Sequence, residues 1–172
     1  MEQTVNLVYM LESLGLTLFF VGLIGFERQS KHKMAGLTTH MLVALGAATL
    51  AIIQEYLYFD SISLINEYAI TNPEMVARVV VERQRIIAQV IAGVGFLGTG
   101  AIIKTNGYIT GLTTASTLWI SAIIGVTFGI GQYQLGIIVS VLALLTLTIV
   151  KRVFRSLYSE ESKQTIPISQ QI

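Results

Sequence analysis

The stretch Ile86-Ile87-Ala88-Gln89-Val90-Ile91-Ala92-Gly93-Val94-Gly95-Phe96-Leu97-Gly98-Thr99-Gly100-Ala101-Ile102-Ile103 decides the fold class. Gln89 is its only strongly polar side chain, and a bilayer core takes about 20 mostly apolar residues per helix, with a range of about 17–25. Gly93, Gly95 and Gly98 satisfy the letter of a dinucleotide-binding G-x-G-x-x-G pattern. That chemistry needs a preceding strand, an opening helix and an acidic residue about 20 positions further on. The surrounding sequence supplies none of them. With Gly100 the run instead reads as a membrane helix whose glycines let neighbouring backbones approach closely, or let the helix break beside a cavity.

Working outward, four more segments have the same character: Val5–Phe26 with Glu12, Leu37–Leu57 with His40, Gln54 and Glu55, Leu112–Ile130 without charge, and Tyr133–Val150. The whole chain of 172 residues is 53% hydrophobic and 12% charged, against about 25% charged in ordinary soluble domains. These features predict an all-α membrane protein of about five transmembrane helices, with residues 1–150 as the membrane domain. The tail, 151–172, opens basic and amphipathic at Lys151-Arg152-Val153-Phe154-Arg155, as an interfacial anchor would, and then turns polar. No basic n-region or small-residue cleavage site marks the amino terminus as a signal peptide, so the first segment is expected to remain as a helix. The absence of cysteine excludes disulfides, thiolate metal sites and cysteine nucleophiles. A net charge of +1 offers nothing to nucleic acid.

Arg28, Lys31, Lys33, Lys104, Lys151, Arg152, Arg155 and Lys163 share one side of the predicted bundle. The other side holds Arg78, Arg83 and Arg85, offset by Asp60, Glu67, Glu74 and Glu82. The positive-inside rule therefore puts the amino terminus outside and the carboxyl terminus in the cytoplasm. The connection Tyr58–Arg85 reads as one long outer loop closing in a helix start, with Thr71 or Asn72 as cap, Pro73 in the first turn and Glu74 behind. Glu74, Arg78 and Glu82 then fall on one face. A helix continuous from Pro73 to Ile103 would be about 46 Å long. Gly36-Leu37-Thr38-Thr39 recurs as Gly111-Leu112-Thr113-Thr114, with Gly25 and Gly100 at the same offset, which suggests a parallel repeat of helices one-two and three-four.

Several polar positions invite a functional reading beside a bland one. Glu27 at the end of helix one is placed to pair with Arg28's neighbours or to meet His40, one turn into helix two, and ionisable groups in membrane segments are functional candidates by default. Arg28 and the lysines after it read as a solvated positive flank. Thr38, Thr39, Thr113 and Thr114 are capping residues, or else they turn hydroxyls and helix dipoles toward an anion or a wet cavity. Glu12 and Gln89 either reach the interface or bond across to another helix. Ser121, Gly125 and Gly129, four residues apart, form a packing or dimer face, and the Ala44, Ala48 and Ala47, Ala51 pairs suggest that helix two also packs closely.

Two ordered blocks carry a resemblance. One is Gly22-Leu23-Ile24-Gly25-Phe26-Glu27-Arg28 with Ala35-Gly36-Leu37-Thr38-Thr39-His40-Met41-Leu42-Val43-Ala44-Leu45-Gly46. The other is Arg85 through Ile102 with Gly111-Leu112-Thr113-Thr114-Ala115 and Leu118-Trp119. Together they resemble the membrane domain of the MgtC/SapB family of bacterial inner-membrane proteins. The resemblance implies a multi-pass protein of the cytoplasmic membrane with roles in growth at low magnesium, survival inside host cells (virulence) and restraint of ATP synthase. It implies a functional polar set on Glu27, Arg28, Thr39, His40, Glu82, Arg85 and Gln89. Thr38 stands where the family usually has arginine, and Thr113 where many members have asparagine, so roles tied to those residues do not carry over. Many members also bear a folded cytoplasmic domain after the last helix, and the tail here is too short to form one.

The expected function is non-enzymatic, since neither a Gly-x-Ser-x-Gly nor a His-Glu-x-x-His pattern occurs. The chain is expected to form homo-oligomers in the bilayer and to act in magnesium homeostasis through membrane partners such as ATP synthase or a P-type magnesium ATPase. The rival is transport of magnesium or another ion or small solute, with no cofactor beyond magnesium as ligand or cargo. Magnesium takes octahedral oxygen ligands and usually one or two carboxylates, and the segments offer Glu12, Glu27 and Glu55 at scattered depths. Glu27, His40, Thr99 and Thr114 around one wet cavity would indicate transport; polar groups paired among themselves in a tight bundle would indicate partner binding.

Overall fold

A computed structural model describes residues 5–68, 85–105 and 108–150 of the chain. The helix start expected at Thr71–Glu74, the Glu74, Arg78 and Glu82 face and the tail beyond 150 lie outside these residues. Five α-helices follow in order: α1 (Leu7–Ser30), α2 (Leu37–Tyr68), α3 (Arg85–Gly100), α4 (Leu112–Gly129) and α5 (Tyr133–Leu145), the last continuing as a π-helical turn over Thr146–Val150. Three of them, α1, α2 up to Ser63 and α4, are long and apolar enough to cross a membrane, and α3 and α5 are shorter apolar helices. Large apolar side chains point outward along them, among them Phe19 at 61%, Phe26 at 64%, Leu42 at 63% and Phe96 at 79% exposed. An outward apolar surface of this kind suits lipid and not water.

Two boundaries depart from expectation. Helix α2 does not stop at Leu57 but runs on to Tyr68, so the start of the supposed outer loop is helical. No glycine or proline interrupts 58–68, and the hydroxyls of Ser61 and Ser63 donate to Leu57 O (2.6 Å) and Asp60 O (2.7 Å). Its 32 residues reach about 48 Å, well past a hydrocarbon core of about 30 Å. Helix α3 ends at Gly100, three residues before the predicted Ile103. Ala101 N and Ile102 N close it by donating to Gly98 O and Thr99 O, both at 3.1 Å. The chain then forms an antiparallel ribbon, β1 (Ile103–Thr105) on β2 (Tyr108–Thr110), with Ile103 opposite Thr110 and Thr105 opposite Tyr108. Isoleucine and threonine strands around the sequence Asn106-Gly107 are a strong hairpin signal, which the expectation of a helix through Ile103 overrode.

Helix α4 is the most enclosed, packing against all four other helices. Its contact with α2 is the closest in the bundle. A Cβ on Gly125 would lie 2.3 Å from Ala44 O, and one on Gly129 would lie 2.6 Å from Ala48 O. The small-residue faces of two helices thus meet inside one copy of the chain. Ala44 opposes Gly125 and Ala48 opposes Gly129, so α2 and α4 run parallel. Apolar side chains fill the two sides of this contact: Ala47, Ala51, Val90, Val94, Ala122 and Val126 toward α3, and Val21, Ile24, Ala44, Ile124 and Phe128 toward α1 and α5.

The two Gly-Leu-Thr-Thr copies both open a helix, α2 at Leu37 and α4 at Leu112. Their glycines are used differently. Gly111 has φ +87°, and a Cβ there would meet Ala101 O at 1.8 Å, so only glycine fits. Gly36 has no positive φ, and the left-handed residue in the connection before it is His32, at φ +49°. Likewise a Cβ on Gly25 would be 2.8 Å from Leu37 Cα, whereas Gly100 has nothing within 4 Å.

Candidate functional site

Along α1 the buried positions are Ser13, Thr17, Val21, Ile24, Gly25 and Arg28, a single helical face turned into the bundle. Arg28 is therefore not a solvated flank. It is completely buried, which corrects the expectation from its position beside a loop. Its Nε donates to Glu27 Oε2 at 2.5 Å, while Glu27 Oε1 accepts from Lys31 Nζ. Nη1 and Nη2 of Arg28 are buried without a hydrogen-bond partner among the described residues.

His40 is also completely buried. Gly25 makes room for it, since a Cβ there would come within 3.3 Å of His40 Cβ. The ring is held at both nitrogens, Nδ1 by Gly36 O at 2.7 Å and Nε2 by the Thr117 hydroxyl at 3.0 Å. Of the two pairings the sequence offers Glu27, the structure shows the one with Arg28's neighbour Lys31 and with Arg28 itself, which together take both carboxylate oxygens and leave none for His40. Both Glu27 and Arg28 nevertheless lie within electrostatic range of the ring. Thr117 also reaches Thr114 O at 2.9 Å. Thr114 is buried, while Thr38, Thr39 and Thr113 are exposed.

The remaining residues of the predicted polar set do not join this group. Arg85 and Gln89 are exposed at the start of α3, near the far end of the bundle. They line a cavity of about 740 Å³ between α2 and α3, walled by apolar residues such as Leu50 and Leu97 and by Gly46 and Gly93. Glu82 is outside the described residues. Thr99 is exposed and donates to its own helix at Phe96 O (2.7 Å), so Glu27, His40, Thr99 and Thr114 do not surround one cavity. Of the α3 glycines, Gly98 packs on Ala115, with 3.6 Å between a would-be Cβ and the alanine Cβ, but Gly93, Gly95 and Gly100 have nothing within 4 Å. The close approach expected of them is not made within one copy. Glu12 is exposed on α1.

A second polar group, not anticipated as a site, ties the opposite end. The Tyr9 hydroxyl donates to Gly129 O at 2.7 Å, Ser13 and Tyr133 share a hydrogen bond of 3.2 Å, and Gln54 Oε1 accepts from Ile87 N at 3.2 Å. Glu55, 5% exposed, lies within electrostatic range of Tyr9. The signal for it was the Gln54-Glu55 pair inside the far end of a membrane segment.

Residues 14–156 of the chain match the MgtC family, a span that includes every described element from Leu14 onward. The chain belongs to the MgtC family. Among relatives of this MgtC-family chain is YhiD of Escherichia coli K12, provisionally named a magnesium transporter, 43% identical over 128 residues that cover 74% of this chain and 54% of YhiD. Protein MgtC of Brucella abortus strain 2308 is 43% identical over 110 residues, 64% of this chain and 38% of that protein. Protein MgtC of Salmonella typhimurium LT2 is 41% identical over 112 residues, 65% of this chain and 39% of that protein. The chain thus spans about half or less of the length of the curated relatives it matches. No solved structure matches. Family and fold together make this a helical membrane protein of the MgtC family.

The His40–Thr117 bond is a direct polar tie between α2 and α4. Thr117→Val, which keeps shape and removes the hydroxyl, is expected to cost about 1 kcal/mol. A thermal midpoint in detergent equal to that of the wild type would show that the bond contributes nothing.

Proposed function

We propose that this chain works in the bacterial cytoplasmic membrane in magnesium homeostasis or low-magnesium adaptation, catalysing no reaction and acting through contacts with other membrane proteins. The observation that carries the proposal is the pairing of polar groups inside the bundle: His40 with Gly36 and Thr117, Glu27 with Arg28 and Lys31, Ser13 with Tyr133. Groups already bonded to each other in a tight bundle are poorly placed to replace the water of a passing cation. Among the described residues, no three histidine or acidic side chains gather where a metal could be held, and magnesium favours an oxygen cage with carboxylates. The open glycines Gly93, Gly95 and Gly100 support self-association or a partner helix on that side. ATP synthase and a P-type magnesium ATPase are the partners that the family resemblance suggests.

Transport is the second reading, favoured by the name of the relative YhiD. Magnesium flux into proteoliposomes separates the two, with Glu27→Gln and His40→Ala as companions. Uptake no greater than in empty liposomes is expected for correctly inserted protein. Uptake that collapses in both variants would overturn the proposal and put the ion path beside those residues; uptake that survives in them would overturn it and put the path elsewhere.

A further inference from the structure

The charges at the Arg28 end do not balance. Glu27 divides its two oxygens between Arg28 Nε and Lys31 Nζ, one anion against two cations. Lys31 is 42% exposed and can be served by solvent. Arg28 cannot: its side chain has no exposure, and Nη1 and Nη2 have no partner among the described residues. A buried guanidinium left with unsatisfied donors is costly, and buried charges in folded proteins are paired or coordinated.

The surroundings add positive potential. Arg28 stands one turn beyond Gly25, which lies against Leu37 and His40 at the start of α2, and His40 in turn bonds Thr117 in the second turn of the parallel helix α4. Helix amino termini present unpaired amides and positive dipole ends. In α2 the amide of Leu37 is met by Gln29 Oε1 at 3.1 Å. In α4, an 18-residue helix, the capping position is Gly111 and no side chain caps the first turn. The buried Thr114 adds a residue with a hydroxyl to this turn. Apart from Glu27 and Gln29 Oε1, which are already engaged, the groups named here are a cation, hydrogen-bond donors or a dipole of positive sense, so the complement is an anion. The paired terminal nitrogens of an arginine match two oxygens of one acceptor group.

We propose that the Nη face of Arg28, with the start of α4, binds a phosphate-type oxyanion, arriving either as inorganic phosphate or as the phosphodiester of an anionic lipid headgroup. A tetrahedral oxyanion has enough acceptors for the guanidinium and the helix start together. Entry requires the Lys31–Gly36 connection to yield. That connection is folded back on the last turn of α1 through His32 N to Gln29 O (2.9 Å) and Lys33 N to Arg28 O (3.0 Å). This inference does not depend on whether the protein conducts magnesium.

The test uses the full chain, stripped of lipid and placed in nanodiscs of pure phosphatidylcholine. Inorganic phosphate is titrated by calorimetry in one arm. In the other, phosphatidylglycerol replaces part of the lipid without phosphate, and bound lipid is counted by native mass spectrometry. Saturable binding of one phosphate per chain assigns the free anion; retention of phosphatidylglycerol alone assigns the headgroup. Arg28→Lys, which keeps the charge and loses the fork, should weaken whichever ligand binds by about 10-fold or more, and Arg28→Gln should abolish it. Lys33→Gln, at an exposed lysine, should stay within about 2-fold, the modest effect of one solvated charge. If Arg28→Gln does not fold, the comparison of Arg28→Lys with Lys33→Gln decides. Folded wild type that binds neither ligand overturns the proposal, as does Arg28→Lys binding as tightly as wild type.

Discussion

Gly125→Ala is expected to destabilise the bundle by about 3 kcal/mol or more, the upper end of what overpacking usually costs, although it adds a single methyl group. The added carbon would sit 2.3 Å from Ala44 O and 3.2 Å from Ala44 Cα, backbone atoms of a helix that cannot turn aside as a side chain can. Helices α2 and α4 would have to separate, and with them the alanine and glycine contacts above and below. The companion is Gly15→Ala on α1, where nothing lies within 4 Å. There the same methyl group meets open surroundings, and the helix gains up to about 1 kcal/mol of propensity. Thermal midpoints measured in one detergent should therefore move in opposite directions, down for Gly125→Ala and level or up for Gly15→Ala. Two variants falling together would mean that the α2–α4 contact is looser than its geometry implies.

Glu27→Ala should come next in severity. Among the described residues Glu27 is the one ionic partner of a fully buried guanidinium, and it is itself only 10% exposed in its side chain. Removing one member of such a pair strands the other, typically at about 3–5 kcal/mol. The pair itself need not be worth that much, because desolvation offsets most of its attraction. The two statements are separable. Glu27→Ala/Arg28→Met, which removes both charges, is expected to be more stable than Glu27→Ala alone, and Lys31→Ala should cost no more than about 0.5 kcal/mol as an exposed i,i+4 partner. Unfolding midpoints of the three variants check this. A double variant less stable than Glu27→Ala would show that Arg28 is held by something other than its carboxylate.

The helices were legible because lipid writes a simple code: long apolar runs with few charges. Their ends were less so. A helix that leaves the hydrocarbon no longer needs apolar residues, and α2 continues through Asp60 and Ser61 because nothing there breaks it. The hairpin at 103–110 was hidden by its own isoleucines, which suit a membrane helix and a strand alike. The close faces of α2 and α4 could each be seen as small residues at intervals of four. That they meet each other, and not a second copy, depends on long-range pairing that no local pattern encodes.

The site divides in the same way. His40 was legible as an ionisable group in an apolar segment, but its partner Thr117 was not, since a threonine in a membrane helix usually bonds its own backbone. Arg28 is the instructive failure. Proximity to a loop suggested solvent, yet Arg28 falls in step with Val21, Ile24 and Gly25, and following that face around the helix would have placed it inside. Arg85 and Gln89 share the family motif with Arg28 but stand near the opposite end of the bundle, so one sequence signature serves two separate places.

The Thr117 hydroxyl stands between two acceptors, His40 Nε2 at 3.0 Å and Thr114 O at 2.9 Å. With the imidazole neutral and its proton on Nδ1 toward Gly36 O, the hydroxyl can donate to Nε2. With the imidazole doubly protonated, the hydroxyl can rotate to Thr114 O and accept from Nε2–H. The ring keeps both of its bonds through the change. The buried ring near the start of α2 can thus hold one proton or two with both bonds kept, by the turn of one rotor and without a helix shifting.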